Sequence, residues 1–149
     1  MTLIIGCGNI LLGDEGVGVH LIETLSKQEV PAGVDLLDGG TGGIELITYI
    51  EKADKVIIVD AIQAGGESGA IYKFRPDDYE QEDCPISSAS LHEICLKDVF
   101  STMKQLGIKK DILIFGIEPE SVELKIGLSE KISKLLPKLI DLVLNEIKG

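Results

Sequence analysis

Short apolar runs alternate along the chain with stretches whose apolar residues recur at helical spacing. Five runs have the length and composition of β-strands and span residues 2–7, 33–40, 55–62, 70–76 and 111–117. Amphipathic stretches between and after them predict helices over residues 15–28, 43–53, 90–105 and 129–147. Residues 77–89 are polar and rich in turn-forming residues, which predicts a loop. This order of elements favours a three-layer α/β/α sandwich.

The connections predict a five-stranded sheet that is mostly parallel with one antiparallel strand. The run at 55–62 is almost continuously apolar, as expected for a strand covered by helices on both faces. Residues 63–69 then lead directly into the next run and are too few for a helical crossover, so that strand is expected to pair antiparallel. Ligands of such folds bind beyond the carboxyl ends of the parallel strands. The residues that follow each strand are therefore the first candidates for a site.

Composition predicts one domain over residues 1–149, expected to be cytoplasmic. Hydrophobic residues make up 44% of the chain, enough for a buried core. The formal charge of −11 disfavours a nucleic-acid or anionic-membrane surface, because both need clustered Lys and Arg. The N-terminus lacks the pattern of a signal peptide, and no apolar run has the length of a membrane span. The three cysteines include no CxxC pair, so neither a disulfide framework nor a thiolate zinc site is expected.

The segment IIGCGNILLGDEGVG, at residues 4–18, follows the first strand and suggests a nucleotide-binding loop. A dinucleotide-binding fingerprint needs Gly-x-Gly-x-x-Gly, but Leu11 occupies the third glycine position. Asp14 and Glu15 come soon after it and would repel a pyrophosphate at the N-terminus of the next helix. Asp38, at the end of the second strand, is the candidate ribose ligand of this interpretation. A Rossmann-like nucleotide-binding protein is therefore a weakly supported alternative.

Three acidic residues near the predicted sheet edge have competing interpretations. Taken singly, Asp14 or Glu15 is most simply the N-cap of the first helix. Asp60 ends the apolar run VIIV, where a buried carboxylate needs a partner or a cation. Aspartates at strand ends also start turns, so both interpretations of Asp60 stay open.

A histidine completes a candidate metal site. Ser90 and Glu93 have the spacing of a capping box, which places His92 in the first turn of a helix. The helix dipole there favours the neutral imidazole that binds metals, although an exposed histidine without a role is the simpler interpretation of His92 alone. Glu15 and Asp60 follow strands one and three, which converge on one edge if they are neighbours. Together with His92 they suit a divalent transition metal with open coordination positions.

Five motifs carry a resemblance to a known family, and they cover nearly the whole chain. They are GCGNILLGDEGVGVHLIE near the N-terminus, LLDGGTGGIELI at 36–47, VIIVDAI at 56–62, SLHEICLKDV at 90–99 and GIEPESVELKIGLS at 116–129. With these motifs in this order, the sequence resembles the hydrogenase maturation endopeptidases, which process the large subunit of nickel–iron hydrogenases.

The resemblance implies a site as well as an activity. It implies that Glu15, Asp60 and His92 recognise nickel, and that Asp38 in the DGGT turn helps to position or activate the scissile bond. Glu15 and Asp60 would then act in catalysis as well as in metal binding, in a peptidase of aspartic or metal-dependent type. One departure is Leu91, which precedes His92 where many members have proline. It concerns the shape of the loop rather than the ligand.

The implied reaction removes a C-terminal extension from the nickel-loaded large-subunit precursor. Nickel would arrive with that precursor, so the free enzyme, expected to be a monomer, is also expected to be free of metal. A non-catalytic nickel-binding checkpoint module that kept the same ligands is the alternative from another functional class.

Overall fold

The protein folds as a five-stranded sheet with helices packed on both faces. In the computed structural model, residues 1–79 and 91–148 are described, and for residues 79 and 91–95 the description covers the backbone only. The elements in chain order are β1 (Thr2–Cys7), α1 (Val17–Ser26), β2 (Val34–Gly40), α2 (Leu46–Lys52), β3 (Lys55–Ala61), β4 (Ile71–Phe74), α3 (Pro76–Tyr79), α4 (Leu91–Gln105), β5 (Asp111–Ile117) and α5 (Glu130–Lys148). A 3₁₀ turn over Gly13–Gly16 precedes α1.

The sheet has the strand order β2-β1-β3-β5-β4. The pairs β1–β2, β1–β3 and β3–β5 are parallel, and β4 runs antiparallel to β5. The predicted mixed sheet with one antiparallel strand is therefore confirmed. Because parallel strands end at the same edge, the segments that follow β1, β2, β3 and β5 all start at one edge of the sheet. We call it the carboxyl edge.

Alternate residues of the central strands build two separate cores. Ile5, Ile58 and Ile114 lie side by side and pack under α2 and α4. Ile4, Ile57 and Leu113, each one residue earlier in its strand, pack under α1 and α5 on the opposite face. A fully buried side chain of this kind stabilises the fold by about 1.5–3 kcal/mol. The predicted three-layer sandwich follows from these two cores, and it explains why the strands read as continuous apolar runs.

The predicted boundaries differ from the structure at several helix starts. The first helix begins at Val17 rather than at residue 15, because the 3₁₀ turn occupies the preceding residues. The second begins at Leu46 rather than at 43. The predicted loop at 77–89 overlaps the short helix α3, and residues 80–90, with the proposed capping residue Ser90, lie outside the described residues. Over the described ranges, the helices are all too short or too polar to cross a membrane.

Candidate functional site

The glycines of the first loop bring α1 against the ends of two strands. A Cβ atom on Gly18 would lie 2.2 Å from the carbonyl oxygen of Val59 and 2.6 Å from that of Cys7. A Cβ atom on Gly6 would lie 2.0 Å from the carbonyl oxygen of Gly18. Only glycine fits at these positions, because the backbones of helix and strands are in direct contact. Helix–sheet packing thus explains these two glycines.

Gly8 brings Glu15 and Asp60 to the same place. Its φ of +129° lies in a region that residues with a side chain rarely adopt. A Cβ atom there would lie 1.8 Å from the backbone oxygen of Glu15 and 3.5 Å from Oδ1 of Asp60. The loop after β1 therefore folds back so that the Glu15 backbone and the Asp60 carboxylate border the same glycine. This arrangement is consistent with the prediction that the two acids converge on one edge of the sheet.

Within the described part of the chain, every buried charged side chain is a carboxylate, and all of them lie at the carboxyl edge. They are Asp14, Glu15, Asp60 and Glu118, with exposed fractions of 0–6%. Asp60 is the most deeply buried of them, and its Oδ1 accepts a hydrogen bond of 2.8 Å from the amide of Ala61. Burial of a carboxylate is costly unless it is hydrogen-bonded, paired or bound to a cation. The geometry gives two of the four a structural role.

Asp14 holds the segment between β5 and α5. Its carboxylate accepts hydrogen bonds from the amides of Glu120 (2.9 Å), Ser121 (3.0 Å) and Ser129 (2.7 Å), and from the hydroxyl of Ser129 (2.8 Å). The N-cap of α1 is Gly16, which has no side chain, so the interpretation of Asp14 or Glu15 as the cap is wrong. Asp14 is a cross-link between two loops.

Glu118 holds the segment between β3 and β4 in the same way. Its Oε1 accepts hydrogen bonds from the amides of Ala64 (3.0 Å) and Gly66 (2.9 Å) and from the hydroxyl of Tyr72 (2.8 Å). Burial, and then the hydrogen bond to this carboxylate, raise the pKa of the Tyr72 hydroxyl. Sequence reasoning missed Glu118. It follows β5 directly, and the rule that led to Asp60 applies to it equally.

Asp38 lies on the exposed surface near the end of β2, beside Gly6 of β1. Its Oδ1 accepts a hydrogen bond of 2.9 Å from the amide of Gly40 and so closes the DGGT turn. The carbonyl of Gly40 in turn accepts one of 2.7 Å from the amide of Gly8. Asp38 is thus linked through one turn to the glycine that borders Glu15 and Asp60.

His92 lies in the first turn of α4, as predicted, and its side chain lies outside the described residues. Among the side chains that the structure describes, no group of three or more His, Cys, Asp or Glu residues has a metal-binding arrangement. The described candidates at the carboxyl edge are therefore the two acids, Glu15 and Asp60.

An open cleft of about 550 Å³ lies at the other edge of the sheet. Its walls include Arg75 after β4, the end of α4, and Asp111 at the start of β5. The cleft is therefore separated from the buried carboxylates by the length of the strands.

The fold and its site define a class of α/β protein with buried carboxylates at the carboxyl edge of a mostly parallel sheet. The family model described as hydrogenase maturation protease matches residues 19–146, a range that includes Asp60 and His92. The hydrogenase 2 maturation protease of Escherichia coli is 33% identical over 151 residues, which cover 98% of this chain and 90% of that protein.

Solved structures agree with this match. The hydrogenase maturating endopeptidase HybD from E. coli superposes with a TM-score of 0.83 at 32% identity, covering 99% of this chain and 91% of that one. A hydrogenase 2 maturation peptidase from a Thaumarchaeota archaeon gives a TM-score of 0.73 at 30% identity, covering 98% and 97%. The chain therefore belongs to the hydrogenase maturation protease family, and it is a peptidase.

Proposed function

We propose that this peptidase removes a C-terminal extension from the nickel-loaded large-subunit precursor of a nickel–iron hydrogenase. Glu15, Asp60 and His92 bind the nickel that the precursor carries, and so place the scissile bond. The observation that supports this proposal is the burial of Glu15 and Asp60 at the carboxyl edge, where the Glu15 backbone and the Asp60 carboxylate both border Gly8.

The chemistry of this donor set fits nickel. Two carboxylates and a neutral imidazole offer oxygen and nitrogen ligands to a divalent transition metal and leave positions open for the ligands of the precursor. Buried carboxylates in one place also repel each other and gain from a cation. A ligand that brings positive charge to Glu15 and Asp60 is therefore the kind that this edge favours.

Each residue of the site has a distinct part in the proposed reaction. The buried Glu15 and Asp60 hold the precursor's metal centre, and His92, which belongs to the first turn of α4, completes the ligand set. Nickel bound there would polarise the scissile carbonyl or activate water. The exposed Asp38 lies nearby on the DGGT turn and positions or activates the same bond.

The remaining parts of the proposal concern the protein in the cell. We expect a monomer made of one domain and located in the cytoplasm, with the precursor as its partner and nickel arriving as part of that substrate. Contacts with nucleic acid or an anionic membrane are not expected, because the chain carries a net charge of −11.

The test follows the mass of the purified large-subunit precursor during incubation with the protein, with and without nickel in the precursor. Glu15→Gln, Asp60→Asn and His92→Ala are each compared with the wild type. Glu23→Gln and Asp35→Asn are matched controls, because they make the same changes at exposed acids of α1 and β2. Nickel binding is measured in parallel by calorimetry.

The expected result is loss of a C-terminal fragment only from the nickel-loaded precursor, with all three site variants inactive and both controls active. Cleavage of the nickel-free precursor would support the proposed peptidase reaction and contradict the proposed role of nickel in recognition. Nickel binding that depends on His92, without any cleavage, would indicate the checkpoint module instead.

A further inference from the structure

Two loops beside the site expose large apolar side chains to solvent. Ile10 and Leu11 come from the loop after β1 and are 41% and 50% exposed. Leu124 and Ile126 come from the segment after β5 and are 83% and 72% exposed. We call these four side chains the apolar rim. They are half of the eight large apolar residues exposed in the described part of the chain, and such concentrations mark interaction surfaces.

The backbone under the apolar rim is held in place. The amide of Lys125 donates to the carbonyl of Leu11 (2.8 Å), and the amide of Gly13 donates to the carbonyl of Lys125 (2.8 Å). Leu12 and Lys125 thus form an isolated parallel β-bridge, and Leu124 and Ile126 flank its second residue. A surface that is already ordered loses little conformational freedom when a partner binds.

The cross-link of Asp14 attaches this surface to the site. Its carboxylate binds the amides of Glu120 and Ser121, and its own amide donates to the carbonyl of Ser121 (2.9 Å). Glu15 is the next residue. The loop that exposes Ile10 and Leu11 is therefore the same loop that carries Glu15, and a partner that covers the apolar rim contacts this loop beside the site.

We propose that the apolar rim docks the folded body of the hydrogenase large-subunit precursor, through an apolar surface next to the precursor's metal centre. This inference rests on the proposed function, and it assigns the recognition of the precursor to residues that do not bind nickel. Docking there presents the metal centre to Glu15 and Asp60.

A second copy of this chain fits the apolar rim less well. Two copies would bring together chains of net charge −11 each, which repel each other. A second copy seated on the rim would also occupy the loop beside the site that the precursor has to reach. Charge therefore disfavours a second copy, and the position of the rim beside the site favours the precursor.

The test uses the full-length protein and the nickel-loaded precursor. The variant is the double substitution Leu124→Ser and Ile126→Ser, and the matched control is Leu106→Ser, since Leu106 is 64% exposed and lies after α4. The Kd for the precursor is measured by biolayer interferometry, and kcat and KM are measured from the rate of cleavage. Thermal unfolding verifies that the variants are folded.

We expect Kd and KM of the double variant to rise by about tenfold or more, the loss typical of interface anchors. The kcat should stay within about twofold of the wild type, because these residues act in docking and make no contact with the reacting bond. The Leu106→Ser control should match the wild type in all three quantities.

Unchanged Kd and KM in the double variant would overturn the docking proposal, and wild-type cleavage in the same experiment would leave the proposed function intact. Binding that depends on the apolar rim, without cleavage by the wild type, would keep the docking surface and contradict the proposed function. A wild type that neither binds nor cleaves would contradict both. Sedimentation also compares the oligomeric states of the wild type and the double variant. If the wild type is a dimer, the double variant is a monomer and both bind the precursor equally well, the occupant is a second copy and the proposal is wrong.

Discussion

Asp14 accepts two hydrogen bonds from Ser129, one from the backbone amide at 2.7 Å and one from the hydroxyl at 2.8 Å. The two residues are 115 positions apart in the sequence. Ser129 directly precedes α5, so this contact connects the start of the last helix to the loop that carries Glu15. Adjacent acids at positions 14 and 15 thus have different assignments: Asp14 holds the loop, and Glu15 is the proposed nickel ligand.

The first prediction separates the structural role of Asp14 from that of its partner. Asp14→Asn should lower the free energy of unfolding by about 2–4 kcal/mol, because its amide group would face buried N–H donors. Ser129→Ala removes only the hydroxyl and should lower it by about 1 kcal/mol. Urea denaturation at pH 7 measures both values. Equal losses in the two variants would contradict the assignment of Asp14 as the centre of this network.

The substitution Glu15→Gln, at the neighbouring residue, should affect cleavage rather than stability. It is nearly isosteric, and we expect it to change the free energy of unfolding by about 1 kcal/mol or less while cleavage of the nickel-loaded precursor is lost. Urea denaturation measures the stability of this variant, and the cleavage assay measures its activity. A Glu15→Gln protein that cleaves at the wild-type rate would remove Glu15 from the proposed site.

The second prediction concerns Gly8, where both the backbone angle and the space exclude a side chain. Gly8→Ala should lower the free energy of unfolding by about 3 kcal/mol or more, because a Cβ atom would overlap the Glu15 backbone oxygen. Gly33 is the matched control: its φ is also positive, at +82°, but a Cβ atom there would have nothing within 4 Å. Gly33→Ala should therefore lower it by only about 1–2 kcal/mol.

Urea denaturation compares the two glycine variants under the same conditions. Both positions have a positive φ, but only Gly8 lacks space for a Cβ atom. The difference between the two losses in the free energy of unfolding therefore measures the effect of steric overlap. Equal losses would mean that the loop around Glu15 relaxes readily, which would contradict a rigid site.

The sheet could be predicted from the sequence because its signals are local. Each buried strand is a continuous apolar run, and the short connection after β3 requires an antiparallel neighbour. The start of α1 could not be predicted, because the 3₁₀ turn before it depends on backbone contacts of Gly13 and Asp14 with residues 121 and 125. Such contacts leave no periodic pattern in the sequence.

The candidate site could be predicted only in part, because some of its signals are local and others are not. The position of Asp60 at the end of a buried strand is visible in the sequence, and the strand order brings it beside the loop of Gly8 and Glu15. The loop-holding roles of Asp14 and Glu118 were not visible, because their partners lie 46–115 residues away. Chain position identifies a strand-end acid but does not distinguish one that binds amides from one available to a ligand.

The third prediction uses the Tyr72–Glu118 hydrogen bond. Tyr72→Phe should lower the free energy of unfolding by about 1–2 kcal/mol near neutral pH, because Glu118 keeps its two amide donors and loses the hydroxyl. The pKa of Tyr72 is raised in the folded state by burial and by this bond. The contribution of the Tyr72 hydroxyl to the free energy of unfolding is therefore fully present below the unfolded pKa of about 10, and it is lost as the pH rises through the folded pKa.

Urea denaturation of wild type and Tyr72→Phe at pH values from 7 to about 11 tests this sign. The difference between the two proteins should be constant at the lower values and shrink at the highest ones. A difference that grows with pH would contradict a raised pKa.

The last prediction asks whether Asp38 acts through its charge or only through its turn. Asn at this position retains the oxygen that accepts the Gly40 amide, whereas Ala does not. Asp38→Asn should therefore keep the wild-type stability and precursor Kd but lower kcat by roughly 10²–10⁴, the contribution typical of an acid–base group. Asp38→Ala should lower both stability and kcat, and Asp35→Asn, at an exposed acid of the same strand, should change neither. If Asp38→Asn cleaves the precursor at the wild-type rate, the role of Asp38 is to hold the turn that binds Gly8, and the charge near the scissile bond comes from Glu15 and Asp60 alone.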